Sequence, residues 1–444
     1  MNNNLFGTDG IRNRVGQEPF TQKQLQQLGS AIASWAQTRY NSAHPVGVIA
    51  SDTRISCSFV KASLLSGMLL STVKLIDVDI LPTPAVFALL KQHDTTFNFG
   101  IVISASHNPY ADNGIKLIDG RTGKLTEMDE IALSSLYYQT TPTHTYTQFS
   151  TVTQWPHASQ EYSAAITHYF KPNMLKNRTI VLDCAHGATS TVAPSLFNLL
   201  GGRTIVINNT PNGTNINDKC GALYPESLQL AVKKHKADMG FAFDGDGDRV
   251  IAVNNKGEIK NGDDILALLA THHRYVEQKT IVGTIMSNEG LADHLRLQNK
   301  HLVRTAVGDK HISAYLQRDH LLLGGEQSGH IIMNDYLPAG DGIFTALSML
   351  EAMIETNNKE CATFIHYPQI LINIPVLTKQ DLSHKPYADI IADYAEQLTN
   401  GRLEVRYSGT ENLLRVMVES KDKELALSIG NQLAYNLKKK LSTL

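Results

Sequence analysis

Apolar residues occur along this chain in two alternating rhythms. Short continuous runs at 46–50, 73–80, 97–103, 179–182, 205–207, 239–243, 281–285, 302–305 and 321–323 read as buried strands. Helical periods lie between them. One starts near Thr189 and puts Val192, Leu196 and Leu199 on one face. Another starts at Asp263 and Asp264, acids suited to a helix N-terminus, with Ile265, Leu268 and Leu269 as its apolar stripe. Such alternation predicts mostly parallel sheets covered by helices, in three rounds. The tail breaks the rhythm. Runs at 370–374, 403–405 and 413–418 read as strands, and Leu425, Ile429, Leu433 and Leu437 line a last helix. The predicted fold class is α/β: three similar α/β domains with mixed, mostly parallel sheets, plus a smaller C-terminal α+β domain. Boundaries are expected at 1–155, 156–255, 256–368 and 369–444, with 139–156 a linker or exposed loop.

Composition narrows the partners. Hydrophobic residues make up 42% and charged residues 18% of the 444 positions, ordinary values for a globular protein with real cores. A net charge of -2 gives no bulk attraction to nucleic acid or a membrane surface, so neither is expected as a partner. An anionic ligand must be held by local Arg and Lys clusters. The four cysteines, Cys57, Cys184, Cys220 and Cys361, are widely spaced, which argues against a disulfide framework or a zinc site and for a reducing compartment. The opening residues lack the features of a signal peptide, and no apolar run approaches the ~18 residues of a membrane span. A cytoplasmic protein is the expectation.

Four short segments could carry chemistry. Ser104-Ala105-Ser106-His107-Asn108-Pro109 directly follows an apolar strand, where α/β proteins place ligands. Pro109 and an Asp112-Asn113-Gly114 turn would tighten this loop, with Lys116 in reach; a plain polar turn is an equal reading. Asp244-Gly245-Asp246-Gly247-Asp248-Arg249 lies between two strand-like runs. Its alternating carboxylates can converge, and two of them ~4 Å apart repel by ~4 kcal/mol at an effective dielectric of 20. An all-oxygen set suits Mg²⁺ or Ca²⁺, not zinc. An EF-hand fails, because Arg249 and Asn255 stand where Gly and Glu are needed. Gly324-Gly325-Glu326-Gln327-Ser328-Gly329-His330, if extended, would point Glu326, Ser328 and His330 to one side; a Gly-rich hairpin is as good a reading. Arg406-Tyr407-Ser408-Gly409-Thr410-Glu411-Asn412, with Arg415 beyond, offers a fork, hydroxyls and open backbone for a phosphate, or is an ordinary hairpin loop. The chain has no Walker A loop and no G-x-G-x-x-G fingerprint.

Taken together and in this order, the segments resemble the α-D-phosphohexomutase superfamily over essentially the whole chain. Phe6-Gly7-Thr8-Asp9-Gly10-Ile11-Arg12, the 104–109 and 325–330 segments, and Asn215-Ile216-Asn217 followed by Cys220-Gly221 are similar to its bacterial branch acting on glucosamine phosphates. The resemblance implies four domains around a central cleft. It implies that Ser106 carries a phosphoryl group, and that Asp244, Asp246 and Asp248 with the phosphoserine oxygen bind Mg²⁺. It places Glu326 and Ser328 on the sugar, and Arg406, Ser408, Gly409, Thr410 and Arg415 on the non-reacting phosphate. Arg12, Lys116 and His330 fall near the transferred group, as stabilisers or acid/base helpers. The implied activity interconverts glucosamine 6-phosphate and glucosamine 1-phosphate, on the route to UDP-N-acetylglucosamine. Glucosamine 1,6-bisphosphate, or glucose 1,6-bisphosphate, would serve as activator, the partner is a small sugar phosphate, and a homodimer is allowed for. The same chemistry on glucose or mannose phosphates, a Mg²⁺-dependent sugar phosphatase, and a Ca²⁺-stabilised structural protein are the rivals. Tyr407 and Asn412 replace prolines common in the family loop, and Asn13 replaces a common glycine.

Overall fold

The computed structural model describes residues 5–7, 10–139, 150–398, 400–408 and 412–441. Four sheets follow one another along the chain. In the first, Val46–Ser51 runs parallel to both Phe99–Ile103 and Lys74–Ile80, and the antiparallel strands Asp112–Asp119 and Ile11–Arg14 extend one edge. In the second, Met239–Phe243, Thr179–Asp183 and Arg203–Ile207 are parallel, with Val250–Asn254 and Ile259–Lys260 antiparallel beside them. The third joins His301–Thr305, Thr280–Thr284 and Leu323–Gly325 in parallel and turns back through Ile331–Met333. These are the mixed, mostly parallel sheets the alternation predicts. Phe99–Ile103 and Met239–Phe243 are buried along their whole length, as strands covered on both faces must be.

The fourth sheet is antiparallel throughout, Gln369–Pro375, Leu413–Ser420 and Gly401–Tyr407, backed by the helix Lys423–Leu441. It docks on the third unit through a half-buried polar contact. Arg402 donates to the carbonyls of Ile285 and Ser287 at 2.6 Å each and pairs with Glu419 at 2.8 Å. Glu419 in turn accepts the amide of Glu289 at 2.5 Å.

Several local expectations need correction. Asp112-Asn113-Gly114 is not a turn: it opens a strand, where Asn113 pairs with Asn13 and Gly114 with Arg12. The helix expected from Thr189 begins at Val192, and Leu199, its last residue, is 64% exposed. Leu200, the next residue, packs inward instead. The strand expected at 321–323 begins at Leu323. The stretch 139–156 is not all loop, since Val152–Gln154 adds a parallel strand to the first sheet at Lys74–Ile80. Among the described residues, no helix is long and apolar enough to cross a membrane.

Candidate active site

Ser106 stands where the buried strand Phe99–Ile103 gives out into its loop. Its backbone is left-handed, φ 53, a conformation that costs a residue with a Cβ ~1–3 kcal/mol. Hydrogen bonds on every side hold it there. The Ser106 amide donates to Ser104 Oγ at 2.9 Å, and Ser104 Oγ donates to Asp52 at 2.5 Å. The Ser106 carbonyl accepts from Arg54 and from Asn217, each at 2.9 Å. Arg54 is fully buried, paired with Asp52 at 2.8 Å, and also donates to the carbonyls of Asn108, Pro109 and Asp112. The serine hydroxyl donates to Asp244 Oδ2 at 2.6 Å.

Asp244, Asp246 and Asp248 converge, with a ligand oxygen of each within 4.8 Å of the others, and all three are buried. The glycines between them have physical reasons. A Cβ on Gly245 would lie 2.5 Å from the Ser106 carbonyl oxygen, and Gly247 has φ 73. Other elements converge on the same acids. Lys116, from the strand Asp112–Asp119, lies 2.8 Å from Asp246 and 2.7 Å from Asp248. Thr83, at a helix N-terminus, donates its hydroxyl to Asp246 at 2.5 Å, and the Arg249 amide donates to Asp244 at 3.2 Å.

Burial pushes the Asp244 carboxyl well above its ordinary range, and Asp248 and Asp246 add to it. Burial acts the same way on Asp248, but Lys116 and then His330 outweigh it and hold that carboxyl well below its ordinary range. Asp246 Oδ1 and Asp248 Oδ1 are buried without a hydrogen-bond partner. A hard divalent cation fits this set: clustered carboxylates, all-oxygen donors and buried acceptors left over.

The 324–330 segment forms a hairpin turn and not an extended loop. The Glu326 amide donates to the His330 carbonyl at 2.9 Å, and Gly329 donates back to Glu326 at 2.9 Å. Glu326 and His330 therefore face each other across the turn, both buried, while Ser328 is exposed at its tip. Glu326 accepts the Gly308 amide at 2.9 Å. His330 lies 3.6 Å from Asp248 on one side and 3.3 Å from Asp309 on the other. A cavity beside the acids is lined by Lys116, Asp248, Asp309, Lys310 and His330.

Residues 3–143 match the phosphoglucomutase/phosphomannomutase alpha/beta/alpha domain I, 160–257 its domain II, 261–369 its domain III and 371–434 its C-terminal domain. The chain belongs to the phosphoglucomutase/phosphomannomutase family. Among its relatives, a phosphoglucosamine mutase from Campylobacter concisus is 37% identical over 433 residues, covering 95% of this chain and 96% of that protein. One from Bdellovibrio bacteriovorus is 40% identical over 455 residues, covering 99% of each. A phosphoglucomutase/phosphomannomutase family protein from Burkholderia thailandensis has the same fold, with a TM-score of 0.81 at 20% identity, over 99% of this chain and 98% of that one. So does an Aspergillus fumigatus N-acetylphosphoglucosamine mutase in complex with GlcNAc-6P and magnesium, with a TM-score of 0.68 at 16% identity, over 98% of this chain and 96% of that one.

Within this phosphohexomutase-type chain the remaining candidates fall in two places. Arg12 lies on the strand Ile11–Arg14, in register with Gly114. Its charge reaches His107: burial, with Arg249 and Arg12, pushes the His107 imidazole down to about 4. His107 Nδ1 lies 3.4 Å from the Ser106 hydroxyl. Arg406 and Arg415 form a second group, directly opposite each other on the tail strands, with buried Ser408 two residues beyond Arg406 in the chain. Gly409 and Thr410 lie outside the described residues. Asp52, Arg54, Thr83 and Asn217 were not singled out for chemistry by sequence reasoning, although Asn215-Ile216-Asn217 was part of the resemblance. Arg54 and Asn217 act on distant main-chain atoms, Thr83 on a distant acid and Asp52 on the distant Ser104 hydroxyl, and no local pattern marks them.

Proposed function

We propose that this protein interconverts glucosamine 6-phosphate and glucosamine 1-phosphate by passing a phosphoryl group through Ser106. The observation that carries the reading is the Ser106 hydroxyl, 2.6 Å from Asp244 at the edge of a buried three-carboxylate cluster. Relatives 36–40% identical over nearly their whole length and named phosphoglucosamine mutase support the amino sugar as substrate.

In the proposed cycle the P–O bond of phospho-Ser106 breaks as O1 of glucosamine 6-phosphate bonds to phosphorus and loses its proton. The 1,6-bisphosphate reorients, its 6-phosphoryl group returns to Ser106, and glucosamine 1-phosphate leaves. Such a transfer needs positioning and charge neutralisation above all. Mg²⁺, held by Asp244, Asp246 and Asp248 with the phosphoserine oxygen, supplies neutralisation when bound. Arg12 and protonated Lys116 bring fixed positive charge to the same phosphoryl group, and His330 takes up the O1 proton and returns it to O6 when the 6-phosphoryl group leaves. Glu326 and Ser328 bind sugar hydroxyls. Arg406, Ser408, Gly409, Thr410 and Arg415 hold the phosphate that does not react, with Arg forks suited to it. Glucosamine or glucose 1,6-bisphosphate restores the phosphoserine when it is lost.

The test joins mass and activity. The active enzyme should show one added phosphate on Ser106 by intact-mass spectrometry, and Ser106→Ala should lose mutase activity even with bisphosphate present. Near-normal activity of that variant would sink the reading, and release of free phosphate without isomerisation would favour a phosphatase. Comparing kcat/KM on glucosamine, glucose and mannose 6-phosphates tests the sugar.

A further inference from the structure

Asn217 belongs to a segment that the reaction scheme leaves without a task. Its side-chain amide reaches out of the second sheet unit and donates to two carbonyls of the Ser106 loop, Ser106 at 2.9 Å and Asn108 at 3.1 Å. The amide nitrogen also lies 2.8 Å from where a Cβ on Gly245 would stand, so it fills the seam between the serine loop and the acidic loop. Asn217 is 8% exposed. Its own backbone is left-handed, φ 58, a conformation Asn adopts more readily than most residues, and its amide donates to the Ala185 carbonyl at 3.0 Å. Buried Asp183 anchors the flanks of the segment. It accepts the Asn208 side chain at 3.0 Å and the Gly221 amide at 3.1 Å.

We propose that Asn217 is a positioning residue that keeps the Ser106 loop in register with the acidic loop through both halves of the reaction cycle. The proposal rests on the reading of Ser106 as the phosphoryl carrier. The direct tie between the two loops is the bond from the Ser106 hydroxyl to Asp244, and phosphorylation removes that donor. Asn217 touches no reacting atom, so its two bonds persist when the hydroxyl is esterified. Arg54 also donates to the Ser106 and Asn108 carbonyls, at 2.9 and 2.8 Å. Losing the Asn217 amide therefore leaves no buried carbonyl unpaired. What is lost is the tie from the carbonyls of the Ser106 loop to the second unit, while Thr83 and Lys116 still join the two units, so the effect falls on alignment of the loop more than on folding.

Two variants test this, run beside the wild type. Asn217→Asp keeps the shape and the tolerance for positive φ, but turns a carboxylate oxygen toward two carbonyls. Asn217→Gly keeps the backbone free and removes the side chain. A misalignment near 1 Å costs about 10²-fold. The expected result in both is kcat lower by about 10- to 100-fold, KM within twofold and the melting temperature nearly unchanged. Phosphate should appear on Ser106 from glucose 1,6-bisphosphate, followed by intact mass, more slowly by the same factor. A kcat within twofold of wild type in either folded variant overturns the proposal. So does a loss that tracks KM or melting temperature and not the loading rate. If Asn217→Asp does not fold, Asn217→Gly decides alone. A wild type that isomerises but carries no phosphate on Ser106 overturns the underlying reading, whereas an active, phosphorylated wild type with unimpaired variants overturns only the role of Asn217.

Discussion

The acidic loop and the tail arginines are both clusters of like charge, and they are built in opposite ways. Asp244, Asp246 and Asp248 come from one hexapeptide, are 1%, 0% and 3% exposed, and are gripped by Ser106, Lys116 and Thr83 from another sheet unit. Arg406 and Arg415 come from two strands and meet as direct cross-strand partners, both half-buried. Like charges directly opposite each other destabilise a strand pair. Burial, with Arg415 adding to it, pulls the Arg406 guanidinium below its ordinary range. The two clusters suit different counter-ions. The buried, clamped acids suit a resident cation, and the more open arginines suit an anion that comes and goes. Damage to the first should therefore appear in kcat, and damage to the second in KM.

The largest expected effect follows from Asp246→Asn. Removing one carboxylate should lower kcat by about 10²-fold or more, the scale seen when one preorganised electrostatic contact to a transition state is lost. Stability should move the other way. Asp246 is among the charges that raise Asp244, so without a metal the variant carries less repulsion. Its melting temperature in EDTA should equal or exceed that of the wild type. A variant that melts lower in EDTA would show that Asp246 serves mainly as the anchor of Thr83 and Lys116, and the resident-cation half of the comparison would fail.

The same contrast explains what could be read from the sequence. The acidic cluster is contiguous, and glycines spaced between acids leave few other uses for the stretch. The Ser106 loop was visible because a polar hexapeptide directly follows an apolar strand. Its left-handed serine was not, since that conformation is imposed by Arg54 and Asn217, the latter 111 positions away. The Asp112-Asn113-Gly114 signal misled because its local turn preference yields to sheet pairing with Ile11–Arg14. The alternation of Glu326, Ser328 and His330 misled because Gly329, at φ 89, folds the segment back. Asn261, with its reciprocal capping bonds to Asp264, also passed unnoticed, although Asn three residues before an acid is a readable helix start. Local chemistry was legible, and long-range hydrogen bonds to backbone were not.

The second expected effect is on the arginine pair. On the proposed reading Arg415 holds a phosphate in ground and transition state alike, so Arg415→Ala should raise KM and spare kcat. A charge-assisted hydrogen bond contributes ~1.5–3 kcal/mol, which corresponds to about 10- to 100-fold in KM. Steady-state kinetics on the 6-phosphate measures it, with kcat expected within threefold. If kcat falls while KM holds, the tail arginines act on the reacting group, and the division between the two clusters is wrong.

The smallest effect concerns how the tail unit is tethered, and it sharpens the comparison by separating tether from site. His366, on the segment leading into the tail, lies 3.0 Å from buried Asp264 of the third unit. Burial opposes protonation of His366, but the hydrogen bond to Asp264 and its charge outweigh it and raise the imidazole above its ordinary value. Burial likewise raises Asp264, and the His366 bond and charge reverse this and lower it. A raised histidine stabilises the fold below its unfolded value near 6.5 and loses that contribution as pH rises through its folded value. A lowered aspartate stabilises above its unfolded value near 3.9 and loses that contribution as pH falls. The pair is thus at full strength between about pH 4 and 6.5 and weakens on either side. The His366 side chain is 38% exposed, so solvent screening holds the contribution to about 0.5 kcal/mol. His366→Gln should flatten the melting temperature between pH 5.5 and 8, a difference of about half a degree in a chain of this size. KM should stay unchanged at every pH, because the tether does not touch the arginine pair. A KM that shifts with the His366 titration would mean that tether and phosphate site are one device.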